Sequence, residues 1–445
     1  MRILKRIGLL LVLAAGVTLA FQYPKLTIIS GYAAKNMAST AYLAKRSPES
    51  IQSQDHNVPL IALSSTAYRS GDHTAEASVG GLKKRRAICR DGVGCALLPE
   101  SDEKGTYPAL KPERTLSRSP APYPYGDGIP ADTVFPEVFY SKLAEALDQA
   151  FRDPDKQRTR TVAVLYKDHL LAERYADGFD ADTRILGWSM TKSITATLFG
   201  IRVYQGQLRV EDAVDWAPWK GDPRSGITYD DLLRMQSGLA WDEDYGSISD
   251  VTRMLFLSED MTTVQPAKEA VAAPGAIWNY SSGTSNFLSG LLRQELGDHQ
   301  QYLNFPYREL IDRIGMSSML LETDLSGHFV GSSYGWASTR DWARFGLLYL
   351  RRGNWAGDRL FDPAWVDYVT RPTEHSDQQY GAHFWLNAGG KYPDAPRDLY
   401  SANGYQGQFV FIIPSRDLVV VRTGLAESPD FDVNAFLGKL MEAFR

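Results

Sequence analysis

Short runs of apolar and β-branched residues, each bounded by turn residues, stand on either side of a long middle segment. Segment 161–175 holds two such runs around the polar pair Lys167-Asp168, and segment 408–422 holds two more around the turn Ser415-Arg416-Asp417. Paired runs of this length, joined by a few polar residues, are typical of β-hairpins. The pattern therefore predicts two antiparallel hairpins that are far apart in the sequence.

Apolar residues recur with helical spacing outside these hairpins. Residues 137–152, which follow Pro136, and residues 431–444 each have the period of an amphipathic helix. Thr228 and Asp231 have the spacing of a capping box in front of a short apolar run. Strands near both ends with helices between them predict an α+β fold, in which an antiparallel sheet is flanked by helices.

The chain is predicted to contain one large domain over residues 135–445, with a helical insertion at about 207–330. Before it, short β-like runs among polar turns predict a small β-rich N-terminal module over residues 23–106; the runs are 59–63, 74–79, 86–89 and 94–98. Residues 107–134 are rich in proline and predict an extended linker. The module has no nucleophile beside a base, so the chemistry is expected in residues 135–445.

The N-terminal segment has the features of a targeting sequence. Arg2, Lys5 and Arg6 precede an uncharged apolar run over residues 7–21. This run is shorter than the roughly 20 residues of a membrane-spanning helix and suits the apolar region of a signal peptide. Because its cleavage pattern is weak, residues 1–22 are predicted to be a signal peptide or a membrane anchor. The expected location is periplasmic, or membrane-anchored facing the periplasm, and a buried N-terminal helix is the alternative.

Composition excludes several classes of partner and cofactor. The 445 residues include 48 Lys+Arg and 53 Asp+Glu, for a formal net charge of -5. Nucleic-acid binding needs a basic face, so no nucleic-acid partner is expected. The seven histidines lack the spacing of metal ligands, and two cysteines are too few for a zinc or iron–sulfur site. No metal and no cofactor are therefore predicted.

The two cysteines flank a predicted tight turn. Cys89 and Cys95 are separated by a segment that contains Asp91-Gly92, a strong signal for a hairpin turn. In an oxidising compartment they would close a hairpin disulfide, whereas two separate buried thiols are the alternative. The sequence leaves both alternatives open.

Two Ser-x-x-Lys motifs occur, and their surroundings distinguish them. Ser101 and Lys104 lie in a polar stretch, whereas Ser189 and Lys192 open an apolar helical run just after Gly187. Residues three apart are neighbours on a helix, so the Lys192 amine can reach the Ser189 hydroxyl. Burial would lower the pKa of such a lysine and allow it to accept the proton of the serine. A capping serine followed by a solvated lysine is the non-catalytic alternative.

Two further motifs follow in order. Tyr280 lies in the Tyr-x-Ser loop of residues 278–283, and the Gly-bearing segment 403–408 directly precedes a strand. The ordered set resembles the penicillin-recognising serine hydrolases, which include class C β-lactamases, D-alanyl-D-alanine carboxypeptidases, related esterases and 6-aminohexanoate-dimer hydrolases. The resemblance covers residues 135–445. Residues 322–333 are most similar to the 6-aminohexanoate-dimer hydrolase branch. The resemblance implies a β-lactamase/transpeptidase-like fold.

It also implies a role for each matched residue. Ser189 would be the acylated nucleophile, Lys192 its proton acceptor, and Tyr280 the group that shares the proton relay and protonates the leaving group. The backbone N–H groups of Ser189 and Gln408 would form the oxyanion hole. The implied activity is hydrolysis of a small-molecule ester or amide through an acyl-enzyme.

Two positions depart from the lactamase pattern. Ser282 stands where lactamases usually carry Asn, and residues Tyr405, Gln406 and Gly407 stand where they carry Lys-Thr-Gly or a His variant. Ser282 in place of Asn removes the amide that would contact the side chain of a lactam. Residues 405–407 lack the cation that would hold a substrate carboxylate. A neutral or amine-bearing ester or amide is therefore expected, with Trp188, Ser282 and residues 405–407 near the substrate.

Two other interpretations compete with this one. Residues 331–335 fit the Gly-x-Ser-x-Gly elbow of α/β-hydrolases, with Ser333 as nucleophile, and candidate partners follow it in the chain: His375, His383, Asp362 and Asp367. The elbow requires a strong preceding strand, which residues 327–330 are too short to form, so this segment is predicted to be a turn before a helix. A catalytically inactive binding or sensor protein on the same fold is the second alternative.

Overall fold

The computed structural model describes residues 2–99 and 110–444, with side chains described from residue 23 onward. Ser101 and Lys104 therefore lie outside the described residues. The chain divides into two compact units. The N-terminal unit contains residues 1–108, 242–260 and 324–327, and the larger unit contains the remainder.

The helices, in chain order, are α1 (Arg2–Leu43), α2 (Pro48–Gln54), α3 (Tyr140–Phe151), α4 (Pro154–Gln157), α5 (Met190–Tyr204), α6 (Tyr229–Leu233), α7 (Asp250–Leu257), α8 (Ser282–Leu296), α9 (His299–Pro306), α10 (Thr339–Leu350), α11 (Pro363–Thr370) and α12 (Val433–Met441). The strands are β1 (Ser64–Arg69), β2 (Thr74–Val79), β3 (Leu82–Arg90), β4 (Gly94–Leu97), β5 (Thr159–Tyr166), β6 (His169–Tyr175), β7 (Ile185–Leu186), β8 (Leu320–Leu321), β9 (Gly335–Ala337), β10 (Asn354–Trp355), β11 (Asp358–Arg359), β12 (Trp385–Leu386), β13 (Tyr400–Gly404), β14 (Gln408–Ile413) and β15 (Leu418–Gly424).

The N-terminal unit is a helix packed on a small sheet. Strands β1 to β4 form an antiparallel sheet in sequential order, and α1 covers one face of it. Small side chains make this contact, with Ala33, Ala34 and Ala38 of α1 buried in one cluster with Ala75 and Ala87 of the strands. Small residues on both surfaces allow the helix and sheet to approach closely.

The predicted β-rich module is thus half helical. α1 extends to Leu43, and residues Ile61–Leu63, which were expected to be extended, form a short 3-10 turn. Alanine contrasts little with its polar neighbours in hydrophobicity, so the buried stripe of α1 leaves a weak period in the sequence. The expected strands at 74–79, 86–89 and 94–98 are present within β2, β3 and β4.

Cys89 and Cys95 are directly opposite each other on β3 and β4 and are joined by a disulfide. β3 also contains the basic run of residues 83–86. Arg85 in this run is 5% exposed and donates to the Phe256 carbonyl at 2.8 Å. Among residues 23–99 and 110–444, whose side chains the structure describes, no helix is long and apolar enough to cross a membrane.

The larger unit is built on a six-stranded antiparallel sheet in the order β12-β13-β14-β15-β5-β6. β15 pairs with β5, so the two hairpins that are distant in sequence form one sheet, which confirms the predicted α+β fold. Side chains alternate between its faces. Val419 and Val421 face the cluster that contains α5 and α10, while Leu418 and Val420 face the cluster that contains α3 and α12.

The proline-rich segment belongs to this larger unit from residue 110 onward. Arg114 donates to the Asp312 carboxylate at 2.5 Å and to the Met319 carbonyl at 2.8 Å. Farther along, the Tyr123 hydroxyl donates to the Arg340 carbonyl at 2.9 Å. These contacts fasten the segment to the surface of the unit. The middle of the chain is helix and loop as expected, and the capping box of Thr228 with Asp231 is formed.

Candidate active site

Ser189 lies at the N-terminal end of α5. It is the capping residue before Met190, and Trp188 in front of it has a positive φ of 47°. The Trp188 carbonyl accepts hydrogen bonds from the backbone and the hydroxyl of Thr191, at 3.0 and 2.7 Å. The turn therefore fixes the start of the helix while Ser189 itself stays half-buried and accessible.

Lys192 lies one turn into α5 and is 1% exposed. Its ammonium nitrogen donates to the Ser189 hydroxyl at 3.0 Å, to the Ser282 hydroxyl at 2.8 Å and to the Ser332 carbonyl at 3.0 Å. All three partners are uncharged. Hydroxyl and carbonyl oxygens stabilise an ammonium group less than a carboxylate would. This environment suits a lysine that accepts a proton from Ser189.

The tyrosine of the second motif lies over this lysine. The Lys192 nitrogen is 4.9 Å from the centroid of the Tyr280 ring. The same ring contacts Trp385 and Tyr380, with centroid distances of 5.3 and 5.7 Å. The structure thus brings Ser189, Lys192 and Tyr280 together, and an aromatic wall holds the tyrosine in place.

α8 supplies the other side of the lysine pocket. Ser281 caps the helix by accepting from the Thr284 backbone, and Ser282 begins it. Ser282 has no exposed surface and its hydroxyl contacts Lys192. In the structure Ser282 thus contacts Lys192, the expected proton acceptor. A contact between Ser282 and a substrate stays a prediction.

The third motif forms the tight turn between β13 and β14. A Cβ placed on Gly404 would lie 2.1 Å from the carbonyl oxygen of Gly187, two residues before Ser189. Only glycine permits the two backbones to approach so closely. Across this contact the rings of Trp188 and Tyr405 meet edge to face, with a centroid distance of 5.5 Å. The turn therefore lies directly beside the nucleophile.

Three side chains brace this turn. Gln408 donates to the Tyr405 carbonyl at 3.0 Å, Arg422 donates to the Gly407 carbonyl at 2.7 Å, and Glu427 accepts from the Gln406 backbone N–H. The side chain of Gln408 also donates to the carbonyl of Gly424 on β15, at 2.7 Å. Gln408 pairs with Gly404 in the strand ladder. The role of its N–H in an oxyanion hole stays a prediction.

Tyr405 is neutral in the ordinary pH range. Burial raises the pKa of its phenol, and the carboxylate of Glu427 raises it further. At the position where lactamases carry a cationic motif, this chain therefore presents an uncharged aromatic side chain.

The residues of the α/β-hydrolase alternative do not form a triad. Ser333 has no exposed surface and its hydroxyl lies 2.8 Å from that of Ser332. Asp362 caps α11, Asp367 pairs with Arg352 at 2.7 Å, and His375 is exposed. As expected, the segment is a turn that leads through β9 into α10.

His383 instead supports the lysine pocket. Its Nδ1 lies 2.6 Å from the Leu233 carbonyl, which can only accept, so this nitrogen carries the proton. Its Nε2 then accepts from the Ser285 hydroxyl at 2.9 Å. Burial and the nearby Lys192 lower the pKa of His383 to about 3, although its hydrogen bond to Leu233 opposes this shift. Ser285 is one turn after Ser282, so neutral His383 anchors the start of α8.

Sequence reasoning missed two features of the pocket. The Ser332 carbonyl accepts from Lys192, and the Asn286 side chain accepts from the Ser332 N–H at 3.0 Å and orients this segment. A backbone carbonyl has no residue signature, so no pattern identifies it. His383 was considered only as a partner of Ser333, and its role beside α8 left no pattern because Ser285 and Leu233 are distant from it in sequence.

The chain is similar in sequence to known proteins over about two thirds of its length. The family model described as Beta-lactamase matches residues 147–435. The 6-aminohexanoate-dimer hydrolase of Paenarthrobacter ureafaciens is 22% identical over 330 residues, which are 68% of this chain and 81% of that protein.

Solved structures show the same fold. A penicillin-binding protein homologue from Caulobacter crescentus superposes with a TM-score of 0.53 at 17% identity, covering 68% of this chain and 97% of that chain. A family VIII carboxylesterase superposes with a TM-score of 0.53 at 15% identity, covering 70% of this chain and 98% of that chain. Proteins that share this scaffold thus carry both penicillin-binding and esterase names.

Proposed function

Because this chain belongs to the beta-lactamase family and is a serine hydrolase, we propose that it cleaves a small-molecule ester or amide through an acyl-enzyme on Ser189. The observation that carries the proposal is the 3.0 Å contact between the Ser189 hydroxyl and a lysine that is 1% exposed. A nucleophile and its base within hydrogen-bond reach are the signature of covalent catalysis.

In the acylation step, neutral Lys192 accepts the Ser189 proton as the serine oxygen attacks the substrate carbonyl. The backbone N–H groups of Ser189 and Gln408 donate to the developing oxyanion, and such donors contribute about 3 kcal/mol each. Tyr280 donates its phenol proton to the leaving group as the carbonyl–heteroatom bond breaks, and protonated Lys192 returns a proton to Tyr280. Lys192 then takes a proton from a water molecule that attacks the ester of Ser189. This proton passes to the Ser189 oxygen as the acid product leaves.

The substrate is expected to be neutral around the scissile carbonyl. Tyr405 is uncharged at the position of the lactamase cation, and Ser282 is engaged with Lys192 rather than presenting an amide. Trp188 and Tyr405 form an aromatic surface beside Ser189 that suits an apolar group. Short esters with good leaving groups need no carboxylate clamp and are therefore the expected test substrates.

The proposed location is the periplasm, with residues 1–22 as a signal peptide or membrane anchor. The disulfide between Cys89 and Cys95 supports this, because disulfides persist in oxidising compartments. Fractionation of cells that produce the full chain tests the proposal. Recovery of the protein in the cytoplasmic fraction would contradict it.

A fluorophosphonate probe tests the enzymatic proposal, because it reacts with activated serine hydroxyls. The wild-type chain should be labelled and Ser189→Ala should not, with Ser415→Ala as a matched exposed-serine control that keeps labelling. A folded wild-type protein that resists labelling would instead support a binding or sensor protein on this fold.

A further inference from the structure

Three exposed leucines share one end of the sheet in the N-terminal unit. Ser64, the first residue of β1, is paired with Val79, and Val79 is paired with Leu82, the first residue of β3. Leu60 and Leu63 lie in the 3-10 turn directly before β1, and both are exposed, as is Leu82. Scattered exposed leucines are ordinary on a protein surface, whereas a group at one end of a small sheet indicates an interaction surface.

The helix α1 leaves the sheet at this same end. The Lys83 ammonium lies 4.9 Å from the centroid of the Tyr23 ring, beside the turn between β2 and β3. The ring of Tyr42 lies 4.7 Å from that of His73, in the turn between β1 and β2 at the opposite end. α1 therefore runs along the sheet with Tyr23 at the end that carries the leucines. The part of α1 before Tyr23 continues past this end and contains the apolar run of residues 7–21.

Lysines border the leucines at this end. Lys25 lies near Tyr23 on α1, and Lys83 is the second residue of β3. Lys84, the next residue, pairs with the Glu76 carboxylate at 3.1 Å, so its charge is partly balanced. Tyr23 is exposed and its ring contacts Lys83. Tyrosine rings are enriched at the level of lipid headgroups, and long lysine side chains reach from apolar surroundings to the charged interface.

We infer that this end of the sheet lies on a membrane surface that contains anionic phospholipids, and that residues 7–21 are retained in the bilayer as an uncleaved anchor. We call this surface the lipid-facing end, and it consists of Tyr23, Lys25, Leu60, Leu63, Leu82 and Lys83. The leucines would insert below the headgroups, and the lysines would contact lipid phosphates.

Two observations select lipid as the partner of this surface. α1 is continuous from the apolar run into residues that pack on the sheet, so a helix anchored in a bilayer would bring the lipid-facing end to the membrane. The mixture of exposed leucines with lysines matches the apolar interior and the negative surface of such a membrane. The inference goes beyond the proposed hydrolysis and includes no catalytic step.

Labels at the two ends of the sheet test the inference in the full-length protein. Leu82→Cys places a thiol at the lipid-facing end, and Ser70→Cys places one at the opposite end, also at an exposed position. Labelling with NBD maleimide without reductant preserves the disulfide between Cys89 and Cys95. In vesicles of phosphatidylcholine and phosphatidylglycerol, a doxyl-labelled lipid should quench the Leu82→Cys label at least about threefold more than the Ser70→Cys label, because the nitroxide lies within the bilayer.

Lysine variants in the Leu82→Cys background test the charge. Phosphatidylglycerol should increase the quenching over that in phosphatidylcholine alone, and Lys25→Gln with Lys83→Gln should abolish this increase. Each lysine near an anionic surface changes membrane affinity about fivefold. Lys45→Gln with Lys220→Gln removes the same charge at two exposed lysines elsewhere and should keep the increase. Melting curves equal to that of the wild type show that the variants are folded.

Four outcomes would overturn the inference. One is equal quenching of the two labels, and another is an equal effect of the two lysine pairs. A third is quenching of the Leu82→Cys label that disappears at one protein copy per vesicle, since a second copy would then cover the leucines. The fourth is N-terminal sequencing of protein from the membrane fraction that begins after residue 20, because the anchor would then be cleaved. All four results are independent of hydrolysis, so failure of the proposed function would leave this test intact.

Discussion

The ammonium nitrogen of Lys192 lies 2.8 Å from the hydroxyl of Ser282, so the first and second motifs are joined by a direct hydrogen bond. The same nitrogen contacts the Ser189 hydroxyl at 3.0 Å. The hydrogen bond to Ser282 therefore helps to position the Lys192 amine relative to the Ser189 hydroxyl. It also joins α5 to the start of α8.

Removing the nucleophile or the base should abolish turnover. Ser189→Ala and Lys192→Ala should each reduce kcat for p-nitrophenyl butyrate by at least about a thousandfold, because the covalent step depends on both. Ser333→Ala should keep activity within about tenfold of wild type, since that hydroxyl is buried away from solvent. Near-complete loss in a folded Ser333→Ala variant, judged by its melting curve, would favour the elbow alternative.

Ser282→Ala should lower kcat with little change in KM. The substitution removes a hydrogen bond that orients the Lys192 amine. We expect about a tenfold loss in kcat, which corresponds to about 1.4 kcal/mol. Steady-state kinetics on p-nitrophenyl butyrate measures this split. A large rise in KM at constant kcat would show that Ser282 contacts the substrate, which is the role expected from the sequence.

Protonation of His383 should lower the free energy of unfolding in acid. Its pKa is depressed to about 3 in the folded protein, so the unfolded chain binds more protons between pH 6.5 and 3 and stability declines as pH falls through this window. One such group contributes a slope of up to about 1.4 kcal/mol per pH unit. Tm measured against pH should therefore fall less steeply for His383→Gln than for wild type.

His56 in the N-terminal unit also makes stability fall in acid, over a similar pH range. Burial lowers its pKa to about 4 despite the opposing charge of Asp55. Part of the acid sensitivity should thus remain in His383→Gln. His375→Gln is the matched control, since His375 is exposed. Identical pH profiles for wild type and His383→Gln would contradict the assignment of a buried neutral imidazole.

Gly404→Ala should impair catalysis without changing any chemical group. The added methyl would meet the Gly187 carbonyl at 2.1 Å and push the third-motif turn away from Ser189. Displacements of about 1 Å in an active site cost roughly a hundredfold in rate. Gly226→Ala, where a Cβ meets no atom within 4 Å, is the matched control and should keep wild-type kcat/KM. Wild-type kinetics in Gly404→Ala would show that this contact does not position the site.

The enzyme should prefer a neutral ester to a β-lactam. A cephalosporin carboxylate finds the uncharged Tyr405 where lactamases supply a cation, and the missing charge-assisted contact is worth about 1.5–3 kcal/mol. The kcat/KM for a chromogenic cephalosporin should be at least about tenfold below that for p-nitrophenyl butyrate. Equal efficiency on the two would mean that an Arg or Lys from another segment of the chain holds the carboxylate.

Sequence patterns predicted the parts of the fold that depend on local signals. Both hairpins, the capping box at Thr228 and the helix after Ser189 follow from short-range propensity and spacing, and the family resemblance is confirmed by the match over residues 147–435. The part of α1 beyond residue 22 was missed because its buried face is built largely from alanine and other small residues.

The contacts that hold the catalytic residues in place could not be predicted from local patterns. His383 reaches Ser285 across nearly a hundred residues, and Ser332 contributes only a backbone carbonyl. Such contacts depend on tertiary packing and leave no pattern along the chain. Ser282 contacts Lys192 only because the fold brings the start of α8 next to α5.

Acid-quenched mass spectrometry during turnover of p-nitrophenyl butyrate detects a covalent acyl-enzyme, on which the proposed function depends. We expect a mass increase equal to one butyryl group, mapped to the peptide that contains Ser189 and absent from Ser189→Ala. Turnover with an unmodified Ser189, or an adduct mapped to another residue such as Ser333, would show that Ser189 is not the nucleophile.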